Sequence, residues 1–204
     1  MINRPKYKVA RKLGPAVFDK TQTQKYAVRA ARRNPVMRKN SRPKTAYGLQ
    51  LLEKQKAKVT YGLTERVFSR YVNTISTSKS RTNNTEKLIE TLECRLDNVI
   101  YRLGLANSRQ FSRQMVSHGH IRVNGQKVTI PSFCVSIGDK ISIKEGSLKS
   151  KMFEGLDEKV KSYKFPSWLN YSPTEKVFLI QGMPKIAPAE IMFDIPAIFE
   201  FYNR

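Results

Sequence analysis

The apolar residues of this chain change their spacing at Gly119, and that change restricts the fold more than any other feature. Upstream, Leu88, Leu92, Leu96, Val99 and Leu103 recur every three or four residues, the stripe of an amphipathic helix, and Gly104 stands where such a helix ends. A further short helix is expected from Ser108, a side chain suited to accept a free first-turn amide, through Phe111, Met115 and Val116 to Gly119. Downstream the period falls to two. Ile121 and Val123 lead into Asn124-Gly125, the pair best able to take the positive φ angles of a two-residue hairpin turn, and Val128 and Ile130 lead out of it. Val135, Gly138-Asp139, Ile141 and Ile143 indicate a second turn and strand. Residues 90–149 therefore read as a helix-helix-small β-sheet module, and the fold class as α+β.

The flanks read differently. Residues 1–46 space Pro5, Pro15, Pro35 and Pro43 among Arg and Lys without a sustained apolar period, which predicts an extended basic N-terminal arm, ordered only against a partner. From Tyr47, Leu49, Leu52 and Gln55 to Val59 predict one helix, and Val67, Phe68, Tyr71, Val72 and Ile75 a second, with Gly62 between them. Residues 76–85 form a polar hinge. In the tail, residues 151–164 read as helical and 177–180 as a strand. Prolines interrupt the remainder, and Phe193, Ile195, Ile198, Phe199 and Phe201 are expected to pack back onto a folded lobe.

The 204-residue chain carries a formal net charge of +22, which repels itself in a compact state and calls for a polyanionic partner. Residues 1–85 hold 21 basic and 3 acidic side chains, residues 86–150 hold 10 and 6, and residues 151–204 hold 7 and 7. A solubility device would be spread evenly, whereas an excess at one end fits an electrostatic footprint on nucleic acid. No apolar stretch approaches the ~18 to 20 residues of a membrane span, so an anionic membrane is the weaker partner.

Like charges also stand in helical register: Lys54 with Lys58, Arg66 with Arg70, Arg109 with Arg113, and Arg95 seven residues before Arg102. Each i,i+4 pair costs an isolated helix roughly 0.2 to 0.5 kcal/mol, so something must compensate. RNA phosphates would do so, and local pairing with Glu65, Glu93 and Asp97 is the alternative. Among the interleaved aromatics, Tyr47 and Tyr61 are the candidates for exposed base stacking, while Phe68, Tyr71 and Tyr101 are expected in cores and Trp168 as an anchor for the tail.

Little points to catalysis. His118 and His120 lack the i,i+4 spacing of a helical zinc motif, and two cysteines, Cys94 and Cys134, cannot supply a four-thiolate site. No GxxxxGK[ST], GxGxxG or GxSxG motif occurs. Cys94 and Cys134 are expected to be reduced, and with no secretory apolar segment visible at the start a reducing cytosol or organelle interior is expected.

Particular residues sharpen this reading. The run Arg95 to Gly104 (RLDNVIYRLG), then Ser108-Arg109, Arg113 to Ile121 (RQMVSHGHI) and Val123-Asn124-Gly125, closely resembles the bacterial-type ribosomal protein S-four family, the fourth protein of the small subunit. Ile130 to Phe133 with Gly138-Asp139, Tyr47 to Leu51 with Glu53 to Lys56, and the ending Glu200 to Arg204 resemble it too. The middle module alone recurs in pseudouridine synthases, a tRNA synthetase and small stress proteins; its combination with the other runs is specific. There are departures: Arg4 to Gly14 resembles the cysteine-free form of the family, Asn34 to Arg38 stands near the place of a usual PGQHG stretch, and Val67 replaces a usual Gln.

The resemblance implies a helical lobe, 47–89 plus 150–204, into which the RNA-binding module 90–149 is inserted, with the arm 1–46 ahead of both. It implies a structural protein, not an enzyme, that binds small-subunit rRNA at a multi-helix junction early in assembly. The neighbouring fifth small-subunit protein and mRNA, where it enters the subunit, are its further implied partners, with no membrane and no homo-oligomer. The implied place is the small ribosomal subunit of the cytoplasm or of an organelle. No cofactor is expected, zinc included, and any metal at the interface would be magnesium carried by the rRNA. The rRNA contacts implied are Lys6, Lys8, Arg11, Lys12, Arg29, Arg32, Arg33, Arg38, Arg42 and Lys44 in the arm, and Tyr47, Lys54, Lys58, Arg66 and Arg70 in the helical lobe. In the module they are Arg95, Arg102, Ser108, Arg109, Arg113, Ser117, His118, His120, Arg122, Asn124 and Lys127. An RNA-modifying enzyme or a ribosome-associated stress factor using the same module is the alternative.

Overall fold

The computed structural model describes residues 5–32, 45–78, 83–153, 155, 158, 160, 163, 165–173, 176–184 and 191–203. The elements are α1 (Lys6–Leu13), α2 (Gln24–Arg32), α3 (Ala46–Thr60), α4 (Glu65–Thr77), α5 (Asn84–Glu93), α6 (Leu96–Arg102) and α7 (Arg109–Ser117). They continue with β1 (Ile121–Val123), β2 (Gln126–Lys127), β3 (Lys140–Ile143), α8 (Glu145–Leu148), β4 (Leu169–Ser172), β5 (Val177–Ile180) and α9 (Ile195–Tyr202). The chain divides into two compact units, residues Met1–Thr85 with Ala187–Arg204, and residues Glu86–Ile186.

The first unit is helical. Thr45 caps α3 by accepting from the Gly48 amide at 3.2 Å, and Asp194 caps α9 by accepting from the Ala197 amide, with Pro196 in the first turn where its missing N–H costs nothing. The i, i+4 stripe of α4 buries Phe68, Val72 and Ile75, and Ile198 of α9 is likewise buried. Helix α9 lies on α3 and α4, where Gln50 donates to Glu200 at 2.8 Å and the Asp194 amide to Glu53 at 3.1 Å. The terminal apolar run thus packs on a folded lobe as its spacing predicts.

The expectation of an irregular arm is corrected over residues 6–32. Helix α1 buries Ala10 and Leu13, the 3-10 turn Pro15–Val17 buries Val17, and both lie against α3. Buried Thr21 donates to the carbonyl of Phe18 at 2.8 Å and also to that of Pro15, which closes the turn before α2. Short apolar spacing, Ala10, Leu13, Val17, suffices because the surface that covers it comes from elsewhere in the chain.

In the second unit the helical stripe of 88–103 is broken in two. Arg95 takes an extended conformation (φ −67°, ψ 133°) between α5 and α6 and bridges Cys134. Ser108 caps α7 by accepting from the Phe111 amide at 3.3 Å. Asn124, at φ 50°, and Gly125, at φ 79°, form the hairpin turn between β1 and β2.

The sheet runs β2-β1-β3-β5-β4 and is antiparallel throughout, with Arg122 opposite Lys127 and Ser142, and Ile141 opposite Phe178. Its period of two buries Ile121, Val123, Ile141 and Ile143 in one core with Leu96, Val99, Ile100, Met115 and Val116. Residues 150–186 correct the expected partition, because β4 and β5 extend the module's sheet and do not join the helical lobe. The Gly138 amide donates to Ile180 at 2.8 Å, and Trp168, Leu169, Phe178 and Ile180 enter the same core. Trp168 is the anchor expected of it, 5% exposed.

Candidate nucleic-acid interface

The two units divide the cations into those consumed inside the protein and those left on its surface. In the helical unit, Lys54 is 7% exposed, donates to Glu65 at 2.8 Å, and sits 4.2 Å from the Phe201 ring centre. Lys58 donates to the other Glu65 oxygen at 2.7 Å, and the Tyr202 hydroxyl donates at 2.7 Å. Burial by itself raises the Glu65 pKa, but these three hydrogen bonds outweigh it and hold the carboxyl at about 2. Lys54 is therefore corrected from RNA contact to internal clamp, and the charge of Lys58 is matched by the same carboxylate.

In the second unit, Arg95 is 2% exposed and grips Asp97 through two bonds, Nε at 3.1 Å and a terminal nitrogen at 2.7 Å. It too is corrected, since a guanidinium so covered has no face for a phosphate. Glu93 accepts from Arg102 through both oxygens, at 2.9 and 3.1 Å, and from Asn98 at 2.7 Å. Asn98 in turn accepts from Arg109 at 2.7 Å, and Arg109 lies 4.3 Å from the Tyr101 ring centre. Ser108 serves as a cap, and Asn124 donates to Asp139 at 2.8 Å and accepts from the Lys140 amide at 2.9 Å, so both side chains shape the module itself. The alternative of local carboxylate partners thus holds for Lys54, Lys58, Arg95 and Arg102.

Further predicted contacts of the module stand on either side of the turn at Gly119. Arg113, its side chain 41% exposed, and Ser117 lie one helical turn apart on α7; a 3.6 Å pairing with Asp97 steadies Arg113. His118 is exposed, while His120 is oriented by a 2.9 Å bond to Ser147 and an edge contact with Phe153. Lys127 lays its stem against Gly119 (φ 73°), where a side chain would collide with it. Directly across the hairpin stands Arg122, a like-charge pairing that destabilises a sheet unless an anion lies over it.

On α4, Arg66 and Arg70 are exposed one turn apart. On α1 and α2, Lys8, Arg11, Lys12, Arg29 and Arg32 are exposed and Lys6 half-buried. Arg33, Arg38, Arg42 and Lys44 lie outside the described residues. Tyr47 is 49% exposed and leans on Phe201 at 5.4 Å, whereas Tyr61, expected on the surface, is buried edge-on to Phe193.

The expectation of an irregular arm concealed a further feature. Tyr7 of α1 and Tyr26 of α2 are nearly parallel, 6.0 Å apart and inclined by 16°, beside a cavity of about 450 Å³ bordered by Arg11, Lys20, Lys25 and Arg29. The signal available in sequence was the spacing Ala10, Leu13, Val17, with Gly14-Pro15 after Leu13 as a helix stop.

Among the described residues no His, Cys, Asp or Glu trio is placed to hold a metal ion, and no helix is long and apolar enough to cross a membrane. Burial, then the neighbouring Cys134, pushes the Cys94 thiol up to about 12, which makes it a poor nucleophile.

Residues 2–93 match the family model described as "Ribosomal protein S4/S9 N-terminal domain", and residues 94–141 that described as "S4 domain". The chain is 41% identical over 166 residues to the "Small ribosomal subunit protein uS4" of Corynebacterium aurimucosum, covering 81% of this chain and 82% of the relative. It is 43% identical over 167 residues to the protein of that name from Halothermothrix orenii, covering 82% and 79%. With the one from Roseiflexus sp. it shares 39% over 204 residues, covering 98% and 97%.

Proposed function

Because the chain belongs to the uS4 family of small ribosomal subunit proteins, we propose that it works by binding small-subunit rRNA directly at a multi-helix junction. It is a structural ribosomal protein and not an enzyme. Its contribution is stoichiometric: cations left on the surface neutralise closely apposed backbones, so that a flexible junction is held in one conformation for later proteins to recognise. RNA of this kind is read through shape, phosphates and 2′-hydroxyls more than through base edges. Assembly then begins at this junction, beside the fifth small-subunit protein and close to where mRNA enters, in the cytoplasm or an organelle. No zinc takes part.

One observation carries the reading. Arg122 and Lys127 face each other across the hairpin, while the buried carboxylates Glu93 and Asp97 are engaged by Arg102 and Arg95. Among the described residues no carboxylate pairs with Arg122 or Lys127, and their charge is suited to phosphate.

Titration of the full chain with a junction rRNA over a salt series tests this. Log affinity is expected to fall steeply with log salt, roughly 0.7 to 0.9 per phosphate neutralised. Replacing Arg122 and Lys127 with Ala should shed about two such contacts, whereas Lys54→Ala should lower stability and leave the slope alone. A flat salt response would overturn the reading. A protein washed from small subunits by a high-salt gradient would be a visiting stress factor, and the appearance of modified nucleosides would make it an RNA-modifying enzyme.

A further inference from the structure

The cleft between α1 and α2 combines two features that a merely solvated helix pair does not need. Its tyrosines present parallel rings, and Tyr7 remains 48% exposed despite that contact. Its border supplies Arg11, Lys20, Lys25 and Arg29, while residues 5–32 contain eight Lys and Arg and a single carboxylate, Asp19. Parallel π-faces accept a planar ring by stacking, and a ring of cations accepts the phosphate attached to it.

Helix α2 gives an independent reason to expect an occupant. It is nine residues long and buries none of them, and Val28 is 50% exposed. Isolated helices shorter than about 12 to 15 residues are marginal in water, so α2 leans on Tyr26 against Tyr7 and on whatever completes the cleft. The cavity, about 450 Å³, falls within the ~300 to 1,000 Å³ typical of small-ligand sites.

We propose that this cleft receives one unpaired RNA nucleotide, its base extending the Tyr7–Tyr26 stack and its phosphate held by Arg11, Lys20, Lys25 and Arg29. The proposal rests on the reading of the protein as rRNA-binding and adds a base-dependent contact to an otherwise backbone-directed interface. Stacking tolerates any base, so the site selects unpaired over paired nucleotides without selecting sequence.

The test uses the full chain and three probes: a short single-stranded oligoadenylate, the same backbone with abasic sugars, and a polyglutamate peptide. The base-bearing strand should bind more tightly than the abasic one by roughly 5- to 100-fold. Tyr7→Leu and Tyr26→Leu should abolish that ratio, and Tyr7→Phe and Tyr26→Phe, which keep the ring, should preserve it. A strand carrying 5-iodouridine should crosslink to Tyr7 or Tyr26 under light. Arg11→Ala and Arg29→Ala should weaken both strands equally and flatten the salt slope. Circular dichroism separates a lost site from a lost fold.

Equal binding of the three probes would overturn the proposal, leaving the cleft a general anion surface. So would a base preference that survives both Leu variants, or crosslinks that map elsewhere. If junction rRNA still binds with a steep salt slope in those cases, only the cleft is wrong. If junction rRNA fails to bind at all, the functional reading falls with it.

Discussion

Arg102 donates to both carboxylate oxygens of Glu93, at 2.9 and 3.1 Å, and Glu93 has no solvent exposure at all. The two residues join the end of α5 to the end of α6, and the Asn98 amide takes part in the same bond set. A buried charge is tolerable only while paired, so the pair is far more costly to halve than to replace whole.

Glu93→Gln is accordingly expected to destabilise the second unit by about 3 to 5 kcal/mol, by leaving the partly buried Arg102 without its counter-charge. Urea unfolding followed by the fluorescence of Trp168, the chain's single tryptophan and a member of the same core, reads this unit directly. A change under about 1 kcal/mol would mean the bonds are replaceable by water.

Acid should loosen the helical unit through Glu65. The hydrogen bonds from Lys54, Lys58 and Tyr202 depress its pKa from 4.5 to about 2 in the folded state. Its stabilising contribution is complete above the unfolded value and is lost as pH falls from about 4.5 to about 2. The side chain is 46% exposed, so solvent screens the effect and it will be modest. Thermal melts followed by circular dichroism across that window should show a fall that Glu65→Gln reduces. Tyr202→Phe should shift the fall to higher pH by removing one of the three donors.

Gly104 closes α6 at φ 69°, and a side chain there would come within 2.9 Å of the Tyr163 ring. Gly104→Ala combines a left-handed backbone, about 1 to 2 kcal/mol for an L-residue, with that collision. Tyr163 is 43% exposed and can swing away, so most of the cost should be the backbone's. In a Tyr163→Ala background the substitution should retain about 1 to 2 kcal/mol of destabilisation, measured by chemical denaturation. A neutral result there would refute the backbone account.

The two cysteines should differ in reactivity. Cys134 is exposed, while burial and the neighbouring Cys134 sulfur push the Cys94 thiol up to about 12. Since the thiolate is the nucleophile, alkylation of the native protein at neutral pH should stop at one equivalent, on Cys134. Cys94 should react only after unfolding, as peptide mass spectrometry can establish; prompt labelling of both would contradict its burial.

Sequence by itself determined what depends on near neighbours. The change of period at Gly119, the cap at Ser108, the turn at Asn124-Gly125 and the stripe Phe68, Val72, Ile75 each specify an element through the geometry of a few residues, and each appears in the fold. The runs quoted for the resemblance were legible for the same reason, being short and local. Tertiary structure alone decided which charges remain available. Lys54 meets Glu65 eleven residues away and Arg102 meets Glu93 nine away, so a cation that looks poised for RNA is consumed by a partner that only folding brings near. It also decided that α1 would order, because the helix it packs on, α3, begins only at Ala46, well beyond the reach of local spacing, and that β5 would pair with β3. Periodicity reports which face of a segment seeks burial; what buries it, or what neutralises a charge upon it, is a matter of proximity in space.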